Sequence, residues 1–298
     1  MKKALIILNP TSGKEESLHY EQKICDQLCA THDIEVVKTT CEGDAKRLAE
    51  KACEERFDTV ILVGGDGTVN EGINGIAEKP FRPKVGIVPL GTVNDFARAL
   101  NIPLSPDEAI KLLGGMTAYA DIGKVNNEYF TNVVAIGALP EAVGEVSIEQ
   151  KTRLGSLAYL IEGAKAIFDN EIFTLRLSYD DQVVEKEAIL FLMALTNSVG
   201  GFSTIADEAD VTDGLVHCFV IKSDSTFQTL KIATNMLFNS LKDDENVHYF
   251  STKELYVEAD RQLELNVDGD MVGKLPISIS VLHRHIEIYT RKTEGLDV

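Results

Sequence analysis

The chain has 298 residues, of which 47 are acidic and 29 basic, giving a formal net charge of −18 at pH 7. With 44% apolar and 26% charged residues, its composition is that of a globular protein and argues against a disordered chain. Such an acidic chain lacks the basic character that broad binding to nucleic acid or adhesion to an anionic membrane requires. Its length favours two domains.

The sequence carries no strong signal for export or membrane insertion. The apolar stretch Ala4–Leu8 is too short for the apolar region of a signal peptide, and no stretch approaches the roughly 20 residues of a membrane-spanning helix. The five cysteines include no CxxC pair, so neither a disulfide framework nor a structural zinc site is favoured. These features predict a cytoplasmic protein.

Strands and helices alternate over the first 120 residues. Asp44 is predicted to cap the second of these helices. The alternation predicts a doubly wound, mostly parallel α/β sheet, in which ligands bind at the carboxyl ends of the strands. The predicted strands are 3–8, 34–39, 59–63 and 84–88, and the predicted helices are 16–31, 44–56, 69–77, 93–100 and 106–113.

Beyond about residue 120, short strands separated by turn signals replace this alternation. They predict an all-β, antiparallel, sandwich-like domain. We place the boundary at residue 122, giving domains 1–122 and 123–298, with a strand at about 286–298 as a candidate to return to the first domain. The predicted strands are 119–125, 129–136, 172–179, 183–196, 215–222, 254–258, 262–267, 277–282 and 286–289, and the predicted helices are 154–168 and 226–241.

The segment GGDGT at 64–68 lies between a buried strand and a helix. Glycines let the backbone approach a ligand closely, and the N-terminus of the following helix favours phosphate. Asp66 suits this place if magnesium or a water network separates its carboxylate from the phosphate. The alternative is a glycine-rich turn with a capping aspartate. A dinucleotide fingerprint and a P-loop are excluded, because Asn70 and Leu8 stand where those motifs need glycine.

Two further polar loops follow apolar strands of the same predicted sheet. NPTSGK at 9–14 offers hydroxyls and Lys14, a point charge for a polyphosphate. PLGTVNDFA at 89–97 offers Thr92 and Asn94 as hydrogen-bonding groups for a ribose, a base or a phosphate. Because parallel strands end at one edge of the sheet, we expect the three loops to converge on one ligand, although each alone could simply cap the next helix.

In this order, the motifs NPTSGK, GGDGTVNE, PLGTVNDFA, SVGGF and VDGD resemble those of the bacterial diacylglycerol kinase and lipid kinase family. Sphingosine kinases share the same catalytic domain. The resemblance covers about residues 3–290; GGDGT alone also occurs in NAD kinases, whereas PLGTVNDFA is far more specific. It implies ATP as co-substrate, Mg²⁺ as cofactor, and phosphoryl transfer to a lipid hydroxyl, with diacylglycerol as the leading acceptor.

The resemblance also implies three sets of site residues, matched position by position. The nucleotide-binding residues are Asn9, Gly65, Gly67, Thr68, Thr92 and Asn94. The catalytic residues are Lys14, Asp66 and Asp270, the last as general base for the lipid hydroxyl. The magnesium ligands are Asp210, Asp213 and the carbonyl oxygen of Leu215.

Several positions depart from the family pattern or allow a plainer interpretation. Asp270 replaces the usual glutamate and is one methylene shorter, which puts rate and substrate choice in question; DGD at 268–270 could also be a charged turn. DVTDG at 210–214 could be an ordinary Asp-Gly turn before a strand. IADE at 205–208 replaces a Leu-Ala-Pro, and HRH at 283–285 is interpreted as a solvated strand edge rather than a catalytic element.

Access to the lipid is assigned to segment 143–168, whose apolar residues are accompanied by Lys151, Arg153 and Lys165 for anionic headgroups. A helix packed on the sandwich is the alternative. The expected partners are ATP and a membrane lipid, not nucleic acid, with transient contact at the inner face of the membrane and a homodimer as one candidate state. Two other functions stay open: an NAD kinase, and a catalytically weak nucleotide or lipid sensor, which Asp270 and the 205–208 loop suggest.

Overall fold

A computed structural model of the chain describes residues 1–13, 17–137, 172–198, 206, 209–223 and 241–291. Helices and strands are numbered as they occur within these ranges. The chain divides into two compact units. Unit 1 comprises Met1–Thr131, Asp210–Gly214 and Leu282–Val298, and unit 2 comprises Asn132–Ala209 and Leu215–Val281.

Unit 1 is built on a parallel sheet with strand order β2-β1-β3-β4-β16. Its strands are β1 (Lys2–Leu8), β2 (His32–Lys38), β3 (Thr59–Gly64), β4 (Lys84–Pro89) and the second half of β16 (Ile277–Tyr289). Its helices are α1 (Ser17–Leu28), α2 (Asp44–Glu54), α3 (Asp66–Ile76), α4 (Asp95–Ala99) and α5 (Pro106–Ile110). The antiparallel pair β5 (Thr117–Val125) and β6 (Glu128–Phe130) completes the unit.

Helices cover both faces of this sheet. In β1, Leu5 and Ile7 pack into one apolar core with residues of α2, α3 and α4. Ala4, Ile6 and Leu8 point to the other face and pack with residues of α1 and with Ile110 of α5. This alternation follows from the period of two in a strand, and it explains why every β1 residue after Lys3 is apolar. The predicted doubly wound α/β fold is confirmed.

The strand order sets the place for a ligand. β1 lies between β2 and β3, so the connections leaving β1 and β3 run in opposite directions. In open α/β sheets such a reversal leaves a crevice beyond the carboxyl ends of the two strands. The loops after β1 and β3, at residues 9–13 and 64–68, lie at this reversal.

Unit 2 is antiparallel throughout its described strands, which confirms the predicted sandwich-like β class. One set of hydrogen-bonded neighbouring strands has the order β16-β13-β8-β9. A separate six-stranded sheet has the order β12-β11-β10-β7-β14-β15. The strands are β7 (Val133–Gly137), β8 (Phe173–Tyr179), β9 (Gln182–Ala188), β10 (Leu190–Ala194), β11 (Val216–Ile221), β12 (Val247–Thr252), β13 (Glu254–Ala259), β14 (Glu264–Val267), β15 (Asp270–Lys274) and the first half of β16.

The structure corrects several strand predictions in the second half of the chain. The single strand predicted at 183–196 is two strands, β9 and β10, because the chain bends at Ile189 and moves from one sheet to the other. The strand predicted at 129–136 is likewise split into β6 and β7. The strands predicted at 277–282 and 286–289 are one continuous β16. β12 and β15 were not predicted, and β15 is exposed at every position and so shows no apolar alternation.

Among the helices that the structure describes, none combines the length and apolarity needed to cross a membrane. The predicted helices at 154–168 and 226–241 lie outside the described residues, apart from Leu241, which begins a short 3-10 helix.

A largely buried hydrogen-bond chain lies at the start of β2 and β3 in unit 1. The hydroxyl oxygen of Thr31 is 2.8 Å from Nδ1 of His32, and that of Thr59 is 3.5 Å from Nε2 of His32 and 3.1 Å from the Tyr289 hydroxyl. Burial, reinforced by the charge of Lys2, lowers the pKa of His32. The ring is therefore neutral in the folded protein at neutral pH.

Acidification is expected to destabilise the protein in part through His32. Because its pKa is lower in the folded state than the unfolded value of about 6.5, the unfolded state binds the proton more readily, and the free energy of unfolding falls as the pH drops below about 6.5. Urea unfolding at pH 7.5 and 5.5 measures this loss. His32→Gln should lose less stability than the wild type, whereas His19→Gln, at an exposed position of α1, should lose as much; equal losses in all three would contradict the prediction.

Candidate active site

The GGDGT loop runs directly from β3 into α3. Gly65 is the N-cap of α3 in an extended conformation, and α3 begins at Asp66. A Cβ atom on Gly64 would lie 2.6 Å from the side chain of Thr68, so only glycine fits there. The N-terminal amides of α3 thus lie at the end of a buried strand, where they can bind phosphate.

Asp66 joins this loop to the loop after β4. Its carboxylate accepts hydrogen bonds from the backbone N–H groups of Asn94, over 2.7 Å, and Asp95, over 2.8 Å. α4 begins at Asp95, and the first amides of a helix have no partner within it. Asp66 therefore caps α4, an element other than its own helix, and holds two of the predicted ligand loops together.

The loop after β4 touches the GGDGT loop through backbone atoms. A Cβ atom on Gly91 would lie 2.8 Å from Cα of Gly65, and one on Gly65 would lie 3.1 Å from Cα of Gly91. Asn94 is left-handed, with φ 55°, and its amide group both accepts from the N–H and donates to the carbonyl of Gly91. Its side chain thus shapes the loop, while Thr92 is exposed.

The loop after β1 reaches the same place. Nδ2 of Asn9 donates to the hydroxyl of Thr68 over 3.0 Å, and Oδ1 of Asn9 accepts from the backbone and hydroxyl of Thr11. A Cβ atom on Gly13 would lie 3.3 Å from Cβ of Leu90, in the third loop. The structure therefore brings residues of all three predicted loops together at the carboxyl edge of the sheet.

A fourth loop, after β2, was not singled out from the sequence. The backbone N–H of Thr39 donates to the carbonyl of Leu8 over 2.9 Å, beside the first loop. The predicted cap is corrected here: Gly43 is the N-cap of α2, and Asp44 instead accepts from the N–H and hydroxyl of Thr40. These hydrogen bonds lower the pKa of Asp44. Two consecutive threonines, Thr39 and Thr40, at the end of a predicted strand were the available signal.

A buried carboxylate in β5 was also missed. Asp121 is 1% exposed, and its two oxygens accept from the backbone N–H groups of Gly214 and Arg284, each over 2.6 Å. Its own N–H donates to the carbonyl of Val211 over 2.7 Å. Burial raises the pKa of Asp121, and the two hydrogen bonds oppose that rise. A single acid within a predicted apolar strand was the signal for it.

The predicted magnesium ligands Asp210 and Asp213 share one turn of unit 1. Asp210 accepts from the N–H and hydroxyl of Thr212, and Asp213 accepts from the N–H of Asp210. Within the described ranges, no three His, Cys, Asp or Glu side chains form a metal-binding cluster. Two carboxylates on a tight turn suit Mg²⁺, whose remaining coordination positions carbonyl oxygens and waters can complete. The assignment of Asp210, Asp213 and the carbonyl of Leu215 as its ligands stays a prediction.

In unit 2, Asp268 and Gly269 form the turn between β14 and β15. Both are left-handed, with φ 50° and 105°, as a two-residue Asp-Gly hairpin requires. Oδ1 of Asp268 accepts from the backbone N–H groups of Asn132, over 3.0 Å, and Val133, over 2.8 Å. Asp270 begins β15 and is exposed. The segment is thus a charged turn locally, and the base role of Asp270 stays a prediction.

Comparison with known proteins identifies the family. Residues 3–125 match the diacylglycerol kinase catalytic domain, and residues 132–290 match the YegS C-terminal NAD kinase beta sandwich-like domain. The chain is 37% identical over 302 residues to the diacylglycerol kinase of Bacillus subtilis (strain 168), with all of both chains covered. It belongs to the diacylglycerol kinase family. The diacylglycerol kinase of Staphylococcus aureus (strain MRSA252) is 38% identical over 293 residues, covering 97% of this chain and 92% of that one.

Solved structures agree with this assignment. A putative diacylglycerol kinase from Bacillus anthracis str. Sterne superposes with a TM-score of 0.83 at 31% identity, covering 97% of this chain and 95% of that chain. The resemblance inferred from the five motifs is confirmed, as is the prediction of a lipid kinase. As a member of the diacylglycerol kinase family the chain uses ATP, and the NAD kinase and sensor alternatives are not favoured.

Three features used in the sequence-based interpretation of this kinase lie wholly or largely outside the described residues. They are Lys14, the lipid-access segment 143–168, and the 205–208 loop, of which Ala206 alone is described. Their roles stay predictions.

Removing the Asp268 carboxylate is expected to destabilise the kinase. Asp268→Ala leaves the amides of Asn132 and Val133 without this acceptor. It also puts alanine in a left-handed conformation, which alanine tolerates poorly. The free energy of unfolding should therefore fall by about 1–3 kcal/mol. Asp268→Asn keeps an acceptor oxygen and suits the conformation, so it should lose less. Urea unfolding followed by circular dichroism compares the two, and equal losses would count against the anchoring role.

Proposed function

We propose that the chain phosphorylates diacylglycerol, transferring the γ-phosphate of ATP to the free hydroxyl to give phosphatidic acid. Full-length similarity to proteins named diacylglycerol kinase supports this acceptor. The observation that carries the proposal is the convergence of three loops at the carboxyl edge of β1, β3 and β4, with Asp66 joining two of them.

The convergent loops supply the groups that would bind a nucleoside triphosphate. We assign the phosphates to the backbone amides of Gly65, Gly67 and Thr68 at the start of α3, where the helix dipole favours negative charge. We assign further nucleotide contacts to Asn9 and Thr92. Since phosphoryl transfer depends mostly on positioning and charge stabilisation, a rigid set of loops is what the reaction requires.

The transfer itself needs a proton acceptor and a divalent ion. The lipid oxygen forms a bond to the γ-phosphorus, the bond to the β-phosphate oxygen breaks, and ADP leaves. We assign the hydroxyl proton to the carboxylate of Asp270, which must come within about 2.6–3.2 Å of that hydroxyl. Mg²⁺, when bound, supplies positive charge and structural order; Asp210, Asp213 and the carbonyl of Leu215 would hold it.

The proposed acceptor places the enzyme at the inner surface of the membrane. Diacylglycerol resides in the bilayer, so the cytoplasmic enzyme must meet the lipid surface. The net charge of −18 opposes lasting attachment to anionic lipids, which favours transient peripheral contact. A homodimer stays a candidate state.

Radiolabelled ATP incubated with total membrane lipid tests the proposal, with the labelled product identified by mass. Phosphatidic acid is the expected product. A labelled sphingoid base, polyprenol or phosphatidylglycerol would replace diacylglycerol as the acceptor, and label in NADP on addition of NAD would support the NAD kinase alternative. Binding of ATP by calorimetry without any labelled lipid would refute the kinase proposal in favour of a sensor.

A further inference from the structure

His283 in unit 1 contacts the buried carboxylate of β5. Its Nδ1 lies 3.0 Å from Oδ1 of Asp121, whose side chain is completely buried, while the side chain of His283 is 51% exposed. With Nδ1–H donating to the carboxylate, a neutral ring keeps Nε2 as an acceptor. The sequence-based interpretation of HRH at 283–285 as a solvated strand edge therefore misses a specific interaction.

The imidazole ring also packs on the turn that carries the predicted magnesium ligands. A Cβ atom on Gly214 would lie 2.9 Å from Nδ1 of His283, and Gly214 has a left-handed φ of 75°. The same Gly214 donates its N–H to Asp121, and Asp121 donates its own to Val211. We call Asp121, His283, Gly214 and Val211 the Asp121 clamp; it joins three separate stretches of unit 1.

His283 contacts Asp121 through its side chain, whereas Gly214 and Arg284 donate to Asp121 through backbone N–H groups. The N–H groups of Gly214 and Arg284 remain whatever side chain stands at those positions. The hydrogen bond from His283 comes from a side chain, and its loss leaves a buried carboxylate with fewer donors and uncovers Gly214. A buried charge that loses a hydrogen-bond partner is poorly stabilised. Asp121 and the turn at 210–214, which is bonded to it through Gly214, should therefore shift or become less ordered.

We propose that His283 is a positioning residue of the kinase. It fixes the carboxylate of Asp121 and, through Gly214, the turn that carries Asp210 and Asp213. This inference rests on the proposed function, because the turn matters for catalysis if those carboxylates hold Mg²⁺. No contact between His283 and substrate is required.

Three substitutions separate the contributions of the two ring nitrogens. His283→Ala removes both; His283→Asn can place an amide nitrogen near Nδ1; and His283→Gln can place one near Nε2. In the full-length protein, hydrogen exchange of the peptide covering 210–216 reports the turn directly, and the Mg²⁺ concentration for half-maximal lipid phosphorylation reports its effect. The alanine variant should exchange several-fold faster and need about tenfold more Mg²⁺, and the asparagine variant should return both values to within about twofold of wild type.

His19→Ala, which removes an exposed histidine from α1, is the control and should change neither readout. An alanine variant with wild-type exchange and Mg²⁺ requirement would overturn the proposal, as would rescue by glutamine instead of asparagine. If the alanine variant does not fold, the asparagine and glutamine variants decide by the same two readouts. A wild-type protein that phosphorylates no lipid refutes the proposed function, while the exchange measurement still decides whether His283 holds the turn.

Discussion

Asp66→Ala is expected to reduce ATP-dependent lipid phosphorylation by at least about a hundredfold while leaving the protein folded. The carboxylate accepts from the N–H groups of Asn94 and Asp95 and so fixes the loop after β4 against the GGDGT loop. Without it, the two loops lose their shared anchor and the proposed phosphate site loses its geometry. Initial rates with labelled ATP and diacylglycerol, together with a melting curve, measure the effect.

Two companion variants sharpen this result. Asp66→Asn keeps the shape but turns an NH₂ group toward one of the two N–H donors, so it should also lose most activity. Asp107→Ala removes an exposed carboxylate of α5 that pairs with Lys23, and it should retain wild-type turnover. Wild-type turnover in Asp66→Ala would refute the role of this carboxylate.

Gly91→Ala is expected to weaken ATP binding by at least about tenfold. The added Cβ atom would lie 2.8 Å from Cα of Gly65 and 2.7 Å from Oδ1 of Asn94. Because one of these neighbours is backbone, the loop after β4 must move away from the GGDGT loop, and small displacements in a binding site cost large factors. Calorimetric titration with ATP gives the affinity, and the KM for ATP should rise in parallel.

Gly67→Ala is the matched comparison, since it adds the same methyl group to the GGDGT loop. Apart from its chain neighbours and the backbone of its own helix, a Cβ atom on Gly67 would meet no heavy atom within 4 Å, and the backbone N–H is kept. Its loss of affinity should therefore be clearly smaller than that of Gly91→Ala. Similar losses in the two variants would show that flexibility, rather than close approach of the loops, determines binding.

The α/β half was predictable because its signals are local. A strand buried on both faces is apolar throughout, as in β1 and β3, and polar loops after such strands must meet at one sheet edge. The convergence of the loops at 9–13, 64–68 and 89–95 follows from this geometry without knowledge of any long-range contact. The motifs within them, followed by SVGGF and VDGD in the second half, carried the resemblance to the family.

What escaped prediction depends on contacts between distant residues. The bend at Ile189 lies inside a continuous apolar run without glycine or proline, so no turn signal marks the change of sheet. The fully exposed β15 is a strand because it pairs with β14, not because of its own composition. Asp121 acquires its role from Gly214 and Arg284, which lie 93 and 163 residues away along the chain.

The discontinuity of unit 1 has a consequence for biosynthesis. Its core includes Val211, Ile286 and Ile288 beside residues of the first 122, so unit 1 stays incomplete until these late residues have left the ribosome. Closing loops of such length is entropically costly and slows folding. A nascent chain that ends near residue 131 exposes the apolar surface these late segments cover, which makes it a natural client for chaperones.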